Sequence, residues 1–221
     1  VYPPSKPKQL YAGGGHSGLL VENGNFYLWG SNQDGQLGYL KAEAKNESSK
    51  EYPSNFVQPL CIKVDCASLG HAHTLLIERG TGLLFAFGNN SRGQVNGIKG
   101  DNVANPVVPK FALDDQFLDV AVGLFHSAAI TVQGEVIIFG CRKYGQCALG
   151  KNIDKTCVVS RWRPEDGSRL KKVVCGHRHT VLLDEHCRIW TIGDNKYGQL
   201  GRKKSKYEKE LVPKLVEGFL G

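Results

Sequence analysis

The sequence predicts an all-β protein built from four similar units, and two observations support this prediction. The first is a Gly-x-x-His motif that occurs four times, with 57, 53 and 53 residues between successive glycines. The second is a pair of short apolar runs, rich in β-branched and aromatic residues, that follows each motif. These runs are too short, and too often interrupted by glycine, for helices. The four motifs are Gly13/His16, Gly70/His73, Gly123/His126 and Gly176/His179.

Each unit contains the same elements in the same order. A first apolar run follows the histidine, a polar turn comes next, and a second apolar run ends in a glycine. A Gly-Gln pair begins five residues after that glycine. The first runs are 19–21, 75–77, 128–130 and 181–183; the second runs are 26–30, 84–88, 136–140 and 189–193; the Gly-Gln pairs are 35–36, 93–94, 145–146 and 198–199. We expect each run to be a strand bounded by tight turns.

The apolar runs also predict how the units pack. Continuously apolar runs are typical of strands that are buried on both faces. A unit of a few short strands cannot bury both faces of its sheet alone, so neighbouring units must stack on one another. Radial stacking produces a β-propeller, and the sequence predicts a β-propeller arc of about four blades. We divide the chain into a lead-in at 1–8, repeats at 9–63, 64–116 and 117–169, and a fourth repeat with the start of a further unit at 170–221.

Two stretches carry the most specific form of the repeat, residues 29–38 (WGSNQDGQLG) and 192–201 (IGDNKYGQLG). Together with residues 69–74 (LGHAHT) and 175–180 (CGHRHT), they resemble the signature of the regulator of chromosome condensation repeat family. The resemblance covers nearly the whole chain and implies a propeller that usually has seven blades. Four repeats are about half of such a ring, and the sequence contains no Met. We therefore expect the chain to be part of a longer protein.

The charge of the chain is unevenly distributed. The net charge is +7, but the residues after position 140 include 18 Lys or Arg and 9 Asp or Glu, whereas the first 140 residues include 10 and 12. A basic half of this kind indicates an acidic partner, which could be a phosphate backbone, an anionic membrane or an acidic protein. A basic surface that is simply solvated is the alternative.

Two basic stretches are the candidate partner-binding residues. In the first, Trp162 lies between Arg161 and Arg163, which is typical of interaction hot spots and also compatible with stacking on nucleic-acid bases. A tryptophan folded under its own loop is the alternative. In the second, four cations that follow the last Gly-Gln pair suit a phosphate or an acidic surface, although a solvated turn is an equal explanation. The second stretch consists of Arg202, Lys203, Lys204 and Lys206.

The motifs do not predict catalysis. A histidine occurs at the same position in all four repeats, whereas a catalytic group is needed only once, so this pattern indicates a structural role. We expect each of these histidines to be buried and hydrogen-bonded to a turn. The sequence lacks a Gly-x-Ser-x-Gly motif, a phosphate-binding loop and a Cys-x-x-Cys pair. The seven cysteines are an odd number and are expected to be free thiols. We therefore predict no cofactor, no bound metal and no self-contained catalytic site.

Three functions remain open, and all of them concern binding. The first is a non-catalytic scaffold that binds a partner protein through loops of the blades, because loops on a rigid framework usually carry binding. The resemblance implies a second function, guanine-nucleotide exchange on a small Ran-like GTPase. The third is attachment to chromatin or nucleic acid through the basic half. We expect a cytoplasmic or nuclear protein, because the first residues show no signal-peptide pattern.

Overall fold

The computed structural model describes residues 5–39, 60–147, 159–202 and 209–218. Within these ranges the protein consists of fifteen β-strands and one short 3-10 turn at Lys110–Ala112. The strands form four sheets, one with three described strands and three with four. The prediction of an all-β protein with four repeated units is therefore confirmed.

Each sheet is an antiparallel meander, in which strands that are consecutive in the chain are also neighbours. The first sheet contains β1 (Pro7–Ala12), β2 (His16–Val21) and β3 (Phe26–Gly30). The second contains β4 (Val64–Leu69), β5 (His73–Glu78), β6 (Leu84–Gly88) and β7 (Val103–Val107). The third contains β8 (Phe117–Val122), β9 (His126–Thr131), β10 (Val136–Gly140) and β11 (Val159–Trp162). The fourth contains β12 (Leu170–Cys175), β13 (His179–Asp184), β14 (Ile189–Asp194) and β15 (Lys209–Leu215).

The hydrophobic core lies between neighbouring sheets, as expected for stacked blades. The first strands of the sheets, β1, β4, β8 and β12, lie side by side in chain order. Side chains from the second and third strands of adjacent sheets fill the space between them, and each fully buried Leu, Ile or Phe contributes about 1.5–3 kcal/mol. The cluster between the first and second sheets includes Leu20, Phe26, Leu76 and Phe87. The next two clusters include Leu75, Leu84, Ile137 and Phe139, and Ile130, Ile138, Leu182 and Ile192.

The repeated histidines connect one blade to the next. His16 Nε2 lies 2.9 Å from Thr74 Oγ1, which belongs to the second blade. The same contact recurs at His73 Nε2 and Ser127 Oγ, 3.0 Å apart, and at His126 Nε2 and Thr180 Oγ1, also 3.0 Å apart. In each pair, the hydroxyl residue directly follows the histidine of the next Gly-x-x-His motif. The prediction that each histidine is hydrogen-bonded to a turn is therefore wrong, because the ring bonds to a neighbouring strand.

The hydroxyl group in turn identifies the proton on the ring. Thr74 Oγ1 donates its proton to the carbonyl oxygen of Gln36 at 2.9 Å, and Ser127 Oγ donates to that of Gln94 at 2.7 Å. Each hydroxyl oxygen must then accept the Nε2–H of the histidine, which leaves Nδ1 unprotonated. The glutamine belongs to the Gly-Gln pair of the histidine's own blade, so the hydroxyl ties this turn to the next blade.

These histidines are neutral. His16, His73 and His126 are almost completely buried, whereas His179 of the fourth blade is half-buried. Burial is the main cause that lowers the pKa of His73 and of His126 to about 3, and neighbouring imidazoles lower it further. Burial likewise lowers the pKa of His16 to about 4. Rings of this kind serve the contact between blades and are not available as general bases near pH 7.

The glycines of the first three motifs are required by the close approach of the next blade. A Cβ atom added at Gly13 would lie 2.5 Å from the carbonyl oxygen of Gly70, and one added at Gly123 would lie 2.6 Å from that of Gly176. At Gly70 the added atom would lie 2.7 Å from the carbonyl oxygen of Gly123 and 2.5 Å from Val122 Cγ1. Backbone atoms cannot move away as a flexible side chain can, so this position excludes larger residues.

We expect Gly70→Ala to destabilise the protein by about 1–3 kcal/mol, the usual cost of overpacking a close contact. Gly100→Ala is the matched control, since the nearest atom to its added Cβ is Asn90 Nδ2 at 3.8 Å. The control is expected to change the free energy of unfolding by less than about 0.5 kcal/mol. Urea unfolding followed by circular dichroism measures both values, and equal stability of the two variants would contradict the explanation.

Candidate functional site

The antiparallel meanders place the loops at two opposite ends of the blades. At one end lie the Gly-x-x-His motifs, between the first and second strands, and the loops with the Gly-Gln pairs, which follow the third strands. We call this the motif end. At the other end lie the turns between the second and third strands and the connections between sheets, and we call it the turn end.

Arg161 and Arg163 lie at the turn end, at and just beyond the end of β11. The Arg161 guanidinium forms a two-point ion pair with Asp115 and also lies 3.7 Å from a Glu135 carboxylate oxygen. The hydrogen bond with Asp115 is the main cause that raises the pKa of Arg161. Arg163 donates to the carbonyl oxygen of Gly167 at 2.6 Å. Both arginines therefore contact acceptors within the protein.

Trp162 packs against the next blade. Its ring lies edge-on to the ring of Trp190 in β14, with the centroids 5.2 Å apart, and it joins the hydrophobic cluster between the third and fourth sheets. The side chain is half-buried, so part of the ring remains at the surface. The sequence left open whether Trp162 is an interaction hot spot or is folded under its own loop. The structure adds a third possibility, which is packing across a blade interface.

Arg202 lies at the motif end, so the structure does not bring the two predicted stretches together. Its guanidinium donates to the carbonyl oxygens of Lys214 at 2.5 Å and Thr191 at 3.2 Å. Lys203, Lys204 and Lys206 lie outside the described residues. Partner binding by the seven predicted residues stays a prediction.

Three arginines at the turn end are paired with carboxylates. Arg79 contacts Asp65 at 2.7 Å, and Arg161 contacts Asp115 as described above. Arg188 bonds to Asp184 and to Asp166, each at 2.7 Å. The positive charge of these three arginines is therefore balanced within the protein, which reduces the electrostatic potential around them.

Cations at the motif end of the third and fourth blades contact tyrosine rings. The Arg178 guanidinium lies 4.0 Å from the ring centroid of Tyr144, and Lys143 Nζ lies 5.5 Å from the same ring. Lys196 Nζ lies 5.4 Å from the ring centroid of Tyr197, which is 81% exposed. We call these five residues the Lys–Tyr surface. Among the described residues, none of its three cations forms an ion pair.

One turn displays a side chain that varies among the blades. The glutamine of the Gly-Gln pair folds back, and its Oε1 accepts the backbone N–H of the residue two positions earlier at 2.8–2.9 Å. We call that residue the display position. It is Asp34, Arg92, Tyr144 and Tyr197 in the four blades. A constant turn thus holds a variable side chain at the motif end, the arrangement expected of a binding surface on a rigid scaffold.

The described residues offer no candidate metal site. They contain no cluster of three or more His, Cys, Asp or Glu side chains that could hold a metal ion. Burial raises the pKa of Cys175 to about 12 and that of Cys147 well above its ordinary value, so both remain thiols at neutral pH. Within the same part of the chain, no helix is long and apolar enough to cross a membrane.

The Lys–Tyr surface has a sequence signal of its own, although none of its residues is among the predicted site residues. Lys-Tyr-Gly-Gln occurs at 143–146 and again at 196–199, 53 residues later and therefore at the same place in the next blade. The two residues before the Gly-Gln pair could thus have been recognised as a repeated, chemically distinctive pair. Arg178 has no such signal, because it reaches Tyr144 from a different blade.

Comparison with known proteins supports the repeat assignment. A family model described as the regulator of chromosome condensation (RCC1) repeat matches residues 23–77, 133–183 and 188–221. The chain is 30% identical over 230 residues to Protein RCC2 of Homo sapiens, an alignment that covers 92% of this chain and 42% of that protein. It is 31% identical over 213 residues to the probable E3 ubiquitin-protein ligase HERC6 of Homo sapiens, with coverage of 93% and 20%. The chain thus spans less than half the length of either relative.

Solved structures show the same fold. Human WBSCR16 superposes with a TM-score of 0.78 at 20% identity, over 96% of this chain and 52% of that chain. Prp20p of Saccharomyces cerevisiae, which was described with its binding properties to Gsp1p and histones, superposes with a TM-score of 0.78 at 19% identity, over 99% and 52%. The four sheets are therefore blades of the RCC1-type β-propeller. On the family model and the fold together, the chain belongs to the regulator of chromosome condensation (RCC1) repeat family.

Proposed function

We propose that the protein is a non-catalytic interaction module, which binds a partner protein through the loops at the motif end of its blades. The observation that carries this proposal is the display position, where a constant Gly-Gln turn presents aspartate, arginine or tyrosine, depending on the blade. The glycine and histidine of the Gly-x-x-His motif are the same in all four blades, whereas the display position carries three residue types, and variable loops on a rigid framework are suited to binding.

The electrostatics support the motif end of the third and fourth blades as the contact surface. The cations of the Lys–Tyr surface have no carboxylate partner among the described residues, while Arg79, Arg161 and Arg188 at the turn end do. Arg202, Lys203, Lys204 and Lys206 follow the Gly-Gln pair of the fourth repeat, and we propose that they extend this surface. Arg161, Trp162 and Arg163 would form a separate contact at the turn end.

Guanine-nucleotide exchange on a small Ran-like GTPase is the second candidate. The similarity to Prp20p, a protein described with its binding to Gsp1p and histones, favours a protein partner of this kind and a nuclear or cytoplasmic location. Exchange predicts faster release of labelled GDP from a stoichiometric GTPase when the chain is added. Attachment to chromatin or nucleic acid instead predicts binding to DNA that weakens steeply with salt. A scaffold shows neither effect.

We expect the variant Lys143→Glu/Lys196→Glu to lose its protein partner. Charge reversal of two surface cations is expected to reduce capture about tenfold, because it replaces attraction by repulsion at the contact. The measurement is affinity capture from a cell extract with the immobilised chain, quantified by mass spectrometry. Lys110→Glu/Lys171→Glu is the matched control, with the same change in net charge at two exposed lysines outside the motif end. Partners captured equally by both variants would contradict the proposed surface.

A further inference from the structure

We propose that the Lys–Tyr surface binds a short acidic segment of the partner protein, which crosses from the third blade to the fourth. In this arrangement, carboxylates of the segment contact Lys143 and Lys196, and an apolar side chain between them covers the exposed ring of Tyr197. The inference rests on the proposed function and specifies the chemistry of the partner.

The first argument is the repetition of the Lys-Tyr pair. Lys143 and Lys196 both precede a display position that is a tyrosine, so the same pair of groups occurs twice, one blade apart. Both lysines are exposed, and both ammonium groups lie within about 6 Å of a tyrosine ring, the range of a cation–π contact. A ring orients a cation without neutralising it, so each lysine keeps a full charge for a carboxylate of the partner.

The second argument is the position of Arg178. Its guanidinium lies over the ring of Tyr144 in the neighbouring blade, so it connects the two Lys-Tyr pairs into one surface. Arginine stacked in this way loses little freedom when it also donates hydrogen bonds to a carboxylate, because its planar group is already oriented. Preorganisation of this kind increases affinity by reducing the entropy lost on binding.

The third argument is the state of the nearby acidic groups. Asp194 is buried, and its Oδ1 accepts the backbone N–H of Lys196 at 3.0 Å. Glu210 pairs with Lys214 at 2.8 Å. Among the described residues, neither carboxylate forms an ion pair with the three cations of the Lys–Tyr surface, so a carboxylate of the partner protein would be the complementary group.

An acidic protein segment fits this surface better than a nucleic acid does. Binding of single-stranded nucleic acid uses open aromatic faces on which bases stack, but Arg178 already covers one face of Tyr144. A phosphate backbone also needs a positive groove that continues along its path. The display position of the first blade is instead Asp34, which Asn89 and Asn102 hold by hydrogen bonds of 2.7 and 2.9 Å. The display position of the second blade is Arg92, so the positive surface extends at most to the second blade and does not continue to the first.

The test uses a fluorescein-labelled peptide of alternating Glu and Asp with a central Phe, and fluorescence anisotropy as the readout. We expect saturable binding that weakens as the salt concentration rises from about 50 to about 200 mM. The same peptide with Gln and Asn in place of Glu and Asp is expected not to bind. Lys143→Gln/Lys196→Gln is expected to weaken binding about tenfold, and Lys110→Gln/Lys171→Gln less than about twofold. Thermal unfolding of each variant verifies that it is folded.

Two further probes represent the other classes of partner. An oligothymidylate represents nucleic acid, and vesicles that contain phosphatidylserine represent an anionic membrane. Binding of either probe to the same lysines with an affinity equal to that of the acidic peptide would overturn the inference. Loss of peptide binding to an equal extent in both lysine variants would also overturn it. If a captured partner depends on Lys143 and Lys196 but the acidic peptide does not bind, the inference fails while the proposed function stands. If no partner depends on these lysines, the proposed function fails.

Discussion

Lowering the pH from 7 to 5 is expected to reduce the free energy of unfolding by about 6 kcal/mol, because three buried histidines must remain neutral in the folded state. The ordinary pKa of these side chains is 6.5, whereas burial lowers the folded values to about 4 for His16 and about 3 for His73 and His126. Unfolding therefore takes up protons below pH 6.5. The stabilisation is fully present above that pH and is lost as the pH falls towards the folded pKa values.

The size of this loss of stability depends mainly on the pKa of histidine in the unfolded chain, because pH 5 lies above all three folded pKa values. At pH 5 each histidine lowers the free energy of unfolding by about 2 kcal/mol, since one pKa unit corresponds to about 1.4 kcal/mol. The structure also explains why the folded protein cannot take up these protons. Nδ1 of His16, His73 and His126 is buried and has no hydrogen-bond partner among the described residues, so an added N–H would remain unsatisfied.

Urea unfolding at several pH values between 7 and 5 measures this dependence, and histidine variants separate it from other titrations. His73→Gln is expected to reduce the pH dependence by about a third, because one of three protons is removed. His177→Gln is the control, since His177 is exposed at the motif end and is not one of the histidines that bond across the blades. A pH dependence that is the same for His73→Gln and the unaltered protein would show that the buried rings are not its origin.

Asp184→Ala is expected to destabilise the protein by about 3–5 kcal/mol, the usual cost of breaking a buried charged network. The Asp184 side chain is fully buried at the end of β13. One of its oxygens accepts the backbone N–H groups of His186 and Arg188 at 2.9 and 3.0 Å. The other accepts Arg188 Nε at 2.7 Å and Trp190 Nε1 at 2.9 Å.

The pKa of Asp184 shows how these bonds compensate for burial. Burial acts to raise this pKa, but the hydrogen bonds from Trp190, Arg188 and His186 outweigh it, and the pKa lies below its ordinary value. The carboxylate is therefore charged at neutral pH, and its removal would leave the Arg188 guanidinium and the Trp190 N–H without this acceptor. Trp190 also packs on Trp162, so the loss extends to the interface between the third and fourth blades.

Asp65→Ala is the matched control for this prediction. Asp65 also pairs with an arginine at the turn end, but it is half-exposed, and pairs of this kind contribute about 0–1 kcal/mol. Chemical unfolding of both variants at neutral pH distinguishes the two cases. A cost of less than about 1 kcal/mol for Asp184→Ala would indicate that the network relaxes, and the assigned role would then be abandoned.

The strands that are apolar on both faces could be located from the order of residues alone. The predicted runs 26–30, 84–88 and 136–140 coincide with β3, β6 and β10, and the run at 189–193 is one residue shorter than β14. These elements are readable because continuous apolar residues and bounding glycines are local properties of the chain. The fourth strand of each four-stranded sheet, which lies at its outer edge, was not located in this way. Strand β7 contains Pro106 and β15 contains Pro213, which suits edge strands but weakens the sequence signal.

Only the folded arrangement separates the polar groups that are used within the protein from those that remain available for binding. The histidine pattern was visible in the sequence, but its partners are hydroxyl groups 54–58 residues away in the chain. Arg161 is paired because Asp115, 46 residues earlier, lies beside it after folding. Arg178 and Tyr144 belong to different blades and meet only when those blades stack. Charge and contact depend on distances through space, and the order of residues along the chain does not encode those distances directly.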